Sequence, residues 1–207
     1  ESTPKPRRTK AILLAFMVTV LWSSSWVILK FGLKTIPPLI FAGTRYFLAA
    51  VVLTLYLFIS GRYKKIGQIS RKDFYYILLL GLFFYTITQG AQILALSVMP
   101  AVMVSLFFNF SPLFVMIGSF YLLNEKPAAL QWAGVFVFLA GMLAYFMPVK
   151  AELVIEGVLI LFLGVFANAF ASLLGRRVNR AGIYDPVLVT SLSMIFGSLL
   201  LFSGIAV

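Results

Sequence analysis

The stretch from residue 94 to residue 145 constrains the fold of this chain more than any other. It holds two apolar runs of about 22 and 20 residues, separated only by the polar turn Asn124-Glu125-Lys126-Pro127. An α-helix needs about 20 apolar residues to cross the hydrocarbon core of a bilayer. The stretch therefore predicts a transmembrane helical hairpin.

The same character extends over the whole chain. Hydrophobic residues make up 62% of the sequence and charged residues 11%, with a mean hydropathy of +1.03. A soluble domain does not have this composition. Backbone groups in lipid must bond internally, and continuous apolar runs without alternation favour helices over a closed barrel. We predict an all-α membrane protein, a bundle of about seven transmembrane helices at residues 11–33, 38–59 and 73–98, the two runs of the hairpin, 153–175 and 186–207.

The basic residues are distributed unevenly between the two sides of these spans. One side collects 13 Lys and Arg, in residues 1–10, 61–72, 126 and 176–185, whereas the other side has three. Short basic loops remain on the cytoplasmic side of a membrane. Residues 1–10 are therefore predicted to be a cytoplasmic tail. The net charge of +11 reflects topology, and no nucleic-acid partner is expected.

Catalytic and metal chemistry have few candidate residues. The chain has no His and no Cys, and its six acidic residues fall in predicted loops or at span ends, so that no pair of carboxylates meets at membrane depth. We predict no catalytic residue, no metal, no cofactor and no enzyme activity. The chain also lacks the GxxxxGK phosphate loop of primary pumps. Passive or secondary transport therefore remains, and the alternative is a non-transporting polytopic membrane protein that serves assembly or partner binding.

Polar side chains inside several spans lie at similar depth. Positions three, four and seven apart share one face of a helix, which places Tyr85, Gln89 and Gln92 in one stripe. Amide side chains are costly to expose to lipid. We therefore expect the polar side chains of these spans to line one shared cavity. The alternative is that they only form hydrogen bonds between helices. The predicted substrate-binding residues are Trp22, Ser25, Gln89, Gln92, Asn109 and Asn168.

Three further residues are predicted to have structural or gating roles. Arg45 is the one charge inside a span, and it is expected to snorkel or to bond helix-end carbonyls rather than to contact substrate. Pro112 is expected to kink its helix, and Glu125 to cap or pair locally at the hairpin turn. The fifth span carries small residues that predict a packing face or a contact with a second copy, namely Gly134, Ala140, Gly141 and Ala144.

A five-helix repeat would enter the membrane again from the opposite side and so produce an inverted second copy. The chain has an apolar helix, a basic exit, a short loop and a helix begun by proline both at 22–38 and at 168–186. We therefore predict a first repeat at 11–147 and part of an inverted second repeat at 153–207.

Several motifs in this order resemble the first half of an EamA-type transporter of the drug/metabolite transporter superfamily. They are Trp22-Ser23-Ser24-Ser25-Trp26, Phe41-Ala42-Gly43-Thr44-Arg45, Ser111-Pro112-Leu113-Phe114, Asn124-Glu125-Lys126 and Leu139-Ala140-Gly141. The resemblance implies ten helices in two inverted repeats, and hence that this chain is a fragment of such a protein. It also implies alternating access around a midplane cavity, and a place in the plasma (inner) membrane of a bacterium or archaeon, among membrane lipids.

The residues predicted to line the cavity favour a certain class of substrate. Tryptophan, glutamine and asparagine suit an amphipathic, neutral or zwitterionic small molecule, such as an amino-acid-like metabolite, whereas phosphorylated ligands need more buried Lys or Arg. A secondary transporter or exporter of small metabolites is the predicted function.

Overall fold

The computed structural model describes residues 8–123, 127–146, 154–179 and 184–203. Within these ranges all regular structure is helical, which confirms the all-α membrane class. A 3-10 helix spans Arg62–Gln68, and a π-helical segment spans Gly81–Thr88. The α-helices are α1 Arg8–Gly32, α2 Pro38–Ile59, α3 Arg71–Leu80, α4 Gln89–Val98, α5 Ala101–Phe108, α6 Ser111–Leu123, α7 Ala129–Phe146, α8 Ile155–Asn179 and α9 Pro186–Ser203.

Six stretches of the described residues are long and apolar enough to cross a membrane. The shorter apolar helix 129–144 within α7 occupies the place of the other predicted span. Glu125 lies outside the described residues, so its predicted role stays a prediction. The six stretches are Ile12–Gly32, Pro38–Ile59, Arg71–Val98, Ala101–Tyr121, Ile155–Val178 and Pro186–Ser203.

The centre of the bundle forms where α9 crosses α2 and the π-helical segment. Small residues allow this close approach, because a Cβ placed on Gly197 would lie 2.5 Å from the carbonyl oxygen of Gly81. Thr86 donates a hydrogen bond of 2.9 Å to the carbonyl of Gly197 at the same crossing. The three elements thus pack closely beside the site described below.

The predicted third span is not one regular α-helix. The wider π-helical turns bond residue i to residue i+5, which shifts the face on which later residues lie. Tyr85 is consequently buried against the ring of Tyr46, with 5.4 Å between ring centroids, while Phe84 lies on the same side as Gln89. The predicted stripe was therefore wrong for Tyr85 and correct in pairing Gln89 with Gln92.

The predicted fourth span is interrupted near its middle. α5 ends at Phe108 and α6 begins at Ser111. Pro112 has no amide hydrogen to donate to the carbonyl of Phe108, and the amide of Leu113 bonds to Phe110 at 3.0 Å. Pro112 thus lies in the first turn of a new helix, and this break lies beside the candidate site.

α1 and α7 lie at the periphery of the described bundle. Along α1 most apolar side chains are exposed, as a lipid-facing helix requires. On α7, a Cβ at Gly134 or at Gly141 would meet no atom within 4 Å. These glycines therefore do not serve packing within the described residues, and the predicted contact with a second copy stays a prediction.

Candidate functional site

A cavity of about 630 Å³ lies between α1, the π-helical segment, α4, α5 and α8. We call it the amide cavity, because the side chains of Gln89, Gln92, Asn109 and Asn168 line it. Trp22 also lines it, so the fold brings together five of the six residues predicted to bind substrate. The remaining lining residues are Val18, Thr19, Ser23, Trp26, Val27, Phe84, Thr88, Ala101, Val102, Ser105 and Phe108.

Ser25 is the predicted residue that does not line the amide cavity. Its hydroxyl donates a hydrogen bond of 2.7 Å to the carbonyl of Trp22, within its own helix. Serine hydroxyls in helices often bond the preceding turn in this way. The geometry therefore gives Ser25 no part in this cavity.

Asn168 links two helices at the wall of the amide cavity. Its side-chain nitrogen donates a hydrogen bond of 2.9 Å to the hydroxyl of Ser111 at the start of α6. For this residue, the alternative of a hydrogen bond between helices holds. Thr88, which the sequence stripes missed, forms a similar link, because its hydroxyl donates to the carbonyls of Phe83 at 2.7 Å and Gly164 at 3.4 Å.

Three side-chain amides of the amide cavity form no hydrogen bond between helices within the described residues. Among the described residues, the side chains of Gln89, Gln92 and Asn109 have no hydrogen-bond partner, although Gln89 is only 8% exposed. An amide offers two donors and one acceptor oxygen. These three groups can therefore bond a polar ligand without breaking contacts in the described part of the protein.

The wall of the amide cavity is aromatic on the α1 side. Trp22 is 67% exposed, and the ring of Trp26 packs 6.4 Å from that of Phe108. No charged side chain is present among the residues that line this cavity. Aromatic faces and neutral amides together suit a ligand with an apolar body and uncharged or balanced polar groups.

α1 is fastened to the rest of the bundle by Lys30. Its ammonium group donates hydrogen bonds to the carbonyl of Leu96 and, at 3.0 Å, to that of Met99, at the C-terminal end of α4. Helix-end carbonyls lack helical partners and attract cations. From the sequence, Lys30 was counted among the polar positions of the first span and among the charges on the non-cytoplasmic side, and this contact was not predicted.

Arg45 does not make the bond to helix-end carbonyls that was one of its predicted roles. Its guanidinium carbon lies 5.0 Å from the centroid of the neighbouring Tyr46 ring. Its Nη1 atom is buried and has no hydrogen-bond partner among the described residues. Arg45 lines neither cavity described here, and Lys30 makes the helix-end contact instead.

A second cavity, of about 680 Å³, lies beside α6 and α7, and we call it the α6–α7 cavity. Asn109 and Pro112, at the break between α5 and α6, form one end of it. Asn109 thus borders both cavities. The other lining residues are Leu113, Val115, Met116, Ser119, Pro127, Gln131, Gly134, Val135, Phe138 and Arg176.

The basic end of the bundle, formed by residues 61–72 with Arg176 and Arg177, is closed by polar contacts. Arg62 forms an ion pair of 3.2 Å with Asp185 at the start of α9. Nearby, the hydroxyl of Tyr184 donates a hydrogen bond of 2.7 Å to Asp73 at the start of α3. These contacts tie the connection before α3 to the connection before α9.

The described residues contain no cluster of three or more His, Cys, Asp or Glu that could hold a metal ion. Asp73 accepts a hydrogen bond from Tyr184, and Asp185 pairs with Arg62, both at the basic end. Both are remote from the middle of the spans. The chemistry available in the amide cavity is therefore hydrogen bonding and aromatic contact.

Comparisons with known proteins agree with this architecture. The model of the EamA-like transporter family matches residues 9–147. The uncharacterized transporter YoaV of Bacillus subtilis is 34% identical over 139 residues, which cover 66% of this chain and 46% of YoaV. An uncharacterized transporter of Archaeoglobus fulgidus is 24% identical over 197 residues, 93% of this chain and 66% of the relative.

The name of a third relative states the membrane in which it lies. The uncharacterized inner membrane transporter YedA of Escherichia coli K12 is 24% identical over 165 residues, 79% of this chain and 52% of YedA. The chain spans about half the length of YoaV and YedA. No solved structure matches the chain. The family model covers residues 9–147, and the regular structure of the described residues is helical, with six apolar stretches of membrane length. The chain therefore belongs to the EamA-like transporter family.

Proposed function

We propose that this chain forms part of a secondary transporter that binds a small, neutral or zwitterionic amphipathic metabolite in the amide cavity. The proposal rests on one observation. The side-chain amides of Gln89, Gln92 and Asn109, which have no hydrogen-bond partner among the described residues, line the same cavity as the two tryptophans of α1. An amino-acid-like substrate would use the amides for its polar end and the rings for its apolar part.

Transport requires that the site open to each side in turn. The position of Asn109 supports such a cycle, because this residue borders cavities on both sides of the helix break. The packing of α2 against α9 also supports the proposed inverted repeats. In the proposed division α2 and α9 would be the second helices of the two repeats, and a two-fold axis in the membrane plane would bring such a pair together.

The proposal is tested by binding and by transport. The purified chain is titrated with zwitterionic amino acids, and with dicarboxylates and sugar phosphates as contrasting ligands. We expect saturable binding of a zwitterion, which Gln89→Ala and Asn109→Ala each weaken by about 1 to 3 kcal/mol, the cost of an unpaired polar partner. Ser25→Ala is the matched control, because its hydroxyl is bonded within α1 and lies off the cavity.

Uptake into proteoliposomes, measured with the longer protein of which this chain forms part, then separates transport from binding alone. Uptake that follows the binding order of the variants supports the transporter. Binding without uptake would favour the non-transporting alternative. If both alanine variants bind like the unmodified protein and only melt at lower temperature, the amides serve helix packing and the proposed site is wrong.

A further inference from the structure

The α6–α7 cavity differs from the amide cavity in its chemistry. Its walls are largely apolar, with Leu113, Met116, Val135 and Phe138 among the lining residues. Arg176 is the one charged residue among those that line it. A long apolar cavity with a cation is poorly suited to the neutral ligand proposed for the amide cavity.

The cation lies at a defined end of this cavity. Asn109 and Pro112 lie at the start of α6, whereas Pro127 and Gln131 lie at the start of α7 and Arg176 in the last turn of α8. The cavity therefore runs along α6 from the middle of the membrane to the basic end of the bundle. In a bilayer spanned by these helices, phospholipid headgroups would lie at the level of Arg176 and acyl chains would lie along α6.

The two helices also leave room for a ligand. A Cβ at Gly134 on α7 would meet no atom within 4 Å. Ser119 on α6, which also lines the cavity, is 6% exposed, and its hydroxyl has no hydrogen-bond partner among the described residues. The walls thus contain open space and an unsatisfied polar group, besides a cation at the headgroup level.

We propose that the α6–α7 cavity binds one anionic phospholipid, with an acyl chain between α6 and α7 and the phosphate at Arg176. Guanidinium groups bind phosphate through charge-assisted hydrogen bonds. The apolar walls select a lipid over a free anion, because a free phosphate would leave the rest of the cavity unfilled. This site does not depend on the transport function, since its ligand is a membrane component.

The test uses native mass spectrometry of the purified chain in detergent with phosphatidylglycerol or phosphatidylcholine. We expect one phosphatidylglycerol to bind in preference to phosphatidylcholine. Arg176→Gln should weaken this binding by about tenfold or more, as expected for the loss of a charge-assisted hydrogen bond. Arg177→Gln is the matched control, since its guanidinium lies 4.8 Å from the Tyr76 ring and does not line the cavity.

A second pair of variants tests the acyl-chain part and does not alter charge. Gly134→Leu should fill the open space and weaken phosphatidylglycerol binding about tenfold, whereas Gly141→Leu, on the same helix but off the cavity, should not. This pair decides the matter if Arg176→Gln fails to fold. Equal losses in Arg177→Gln and Arg176→Gln would overturn the proposal, because attraction by the basic end in general would then suffice.

Two other results would also overturn it. One is binding of phosphatidylglycerol to Gly134→Leu as tight as to the unmodified protein. The other is displacement of phosphatidylglycerol by millimolar inorganic phosphate together with insensitivity to Gly134→Leu, which would identify a site for a free anion. Retention of the lipid in excess phosphate, with sensitivity to both Arg176→Gln and Gly134→Leu, supports the phospholipid site.

Discussion

At the scale of single residues, the amides of the amide cavity divide into two groups. Asn168 is bonded to Ser111 and holds α8 to α6, whereas Gln89, Gln92 and Asn109 have no partner among the described residues. A hydrogen bond between helices stabilises the bundle, while an unpaired amide is available to a ligand. Stability and binding should therefore respond to different substitutions in the same cavity.

We expect Asn168→Ala to lower the free energy of unfolding by about 1 kcal/mol, the net contribution of a hydrogen bond between helices. Reversible unfolding in mixed micelles measures this change. A double-mutant cycle with Ser111→Ala isolates the bond, and the coupling energy should account for most of the loss. Ser172→Ala, whose hydroxyl bonds only to a carbonyl of its own helix, should have little effect. A coupling energy near zero would contradict this assignment.

Much of the candidate site could be predicted from residue types and helical spacing alone. Gln89 and Gln92 share a face because α4 is regular, and the cost of amides in lipid predicts that they turn inward. Tyr85 could not be placed, because the sequence does not reveal that the preceding segment is π-helical. The contact of Lys30 with Leu96 could not be predicted either, because two residues 66 positions apart meet only through tertiary packing.

At the scale of elements, α1 forms one wall of the amide cavity. Its apolar side chains are mostly exposed, and the hydrogen bonds of Lys30 fasten it at the end opposite to the basic end. The part of α1 that carries Trp22 and Trp26 is held by apolar contacts such as that of Trp26 with Phe108. A helix fastened at one end can tilt to change access to the cavity.

We expect Lys30→Met to loosen α1 without unfolding the bundle. The chain has no Cys, so spin labels at Val27→Cys on α1 and Val102→Cys on α5 report one distance across the cavity mouth. The distance distribution should broaden in Lys30→Met. Lys34→Met is the control, because that ammonium lies over the Phe31 ring at 5.0 Å on the same helix end. Equal distributions for Lys30→Met and the unmodified protein would show that Lys30 does not hold α1.

Element positions followed from apolar length, but the breaks inside two spans did not. Pro112 gave a signal for the break between α5 and α6, since proline cannot donate within a helix. Nothing in the apolar pattern of Gly81–Thr88 distinguishes π-helical from α-helical turns, because both bury a continuous apolar run. The close crossing of Gly81 and Gly197 is a property of the folded pair of helices.

At the scale of the whole molecule, the described spans alternate in direction, and most basic residues of the described part lie at one end. The connection 61–72 contributes five basic residues, and Arg176 and Arg177 lie at the same end of the bundle. The opposite end carries Lys30 in the last turn of α1 and Lys34 just after this helix, and Lys30 is bonded to helix-end carbonyls. The asymmetry of charge therefore belongs to the two faces of the membrane.

The positive-inside rule then fixes an orientation that can be measured. We expect the basic end, and with it the N-terminus, to face the cytoplasm, because short basic loops are retained on that side during insertion. Ile66→Cys in the exposed 3-10 helix and Thr35→Cys at the opposite end provide single labels in a chain without other Cys. An impermeant maleimide should label Thr35→Cys in intact cells and Ile66→Cys only after permeabilisation.

The two positions control for each other, since both side chains are exposed in the structure and differ in the end of the bundle that they occupy. Labelling of Ile66→Cys from outside intact cells, with Thr35→Cys protected, would reverse the orientation. The basic end would then face outward, and the phospholipid proposed for the α6–α7 cavity would come from the outer leaflet. Labelling in the expected order instead assigns that lipid to the cytoplasmic leaflet, where anionic headgroups are attracted by the same basic residues that set the topology.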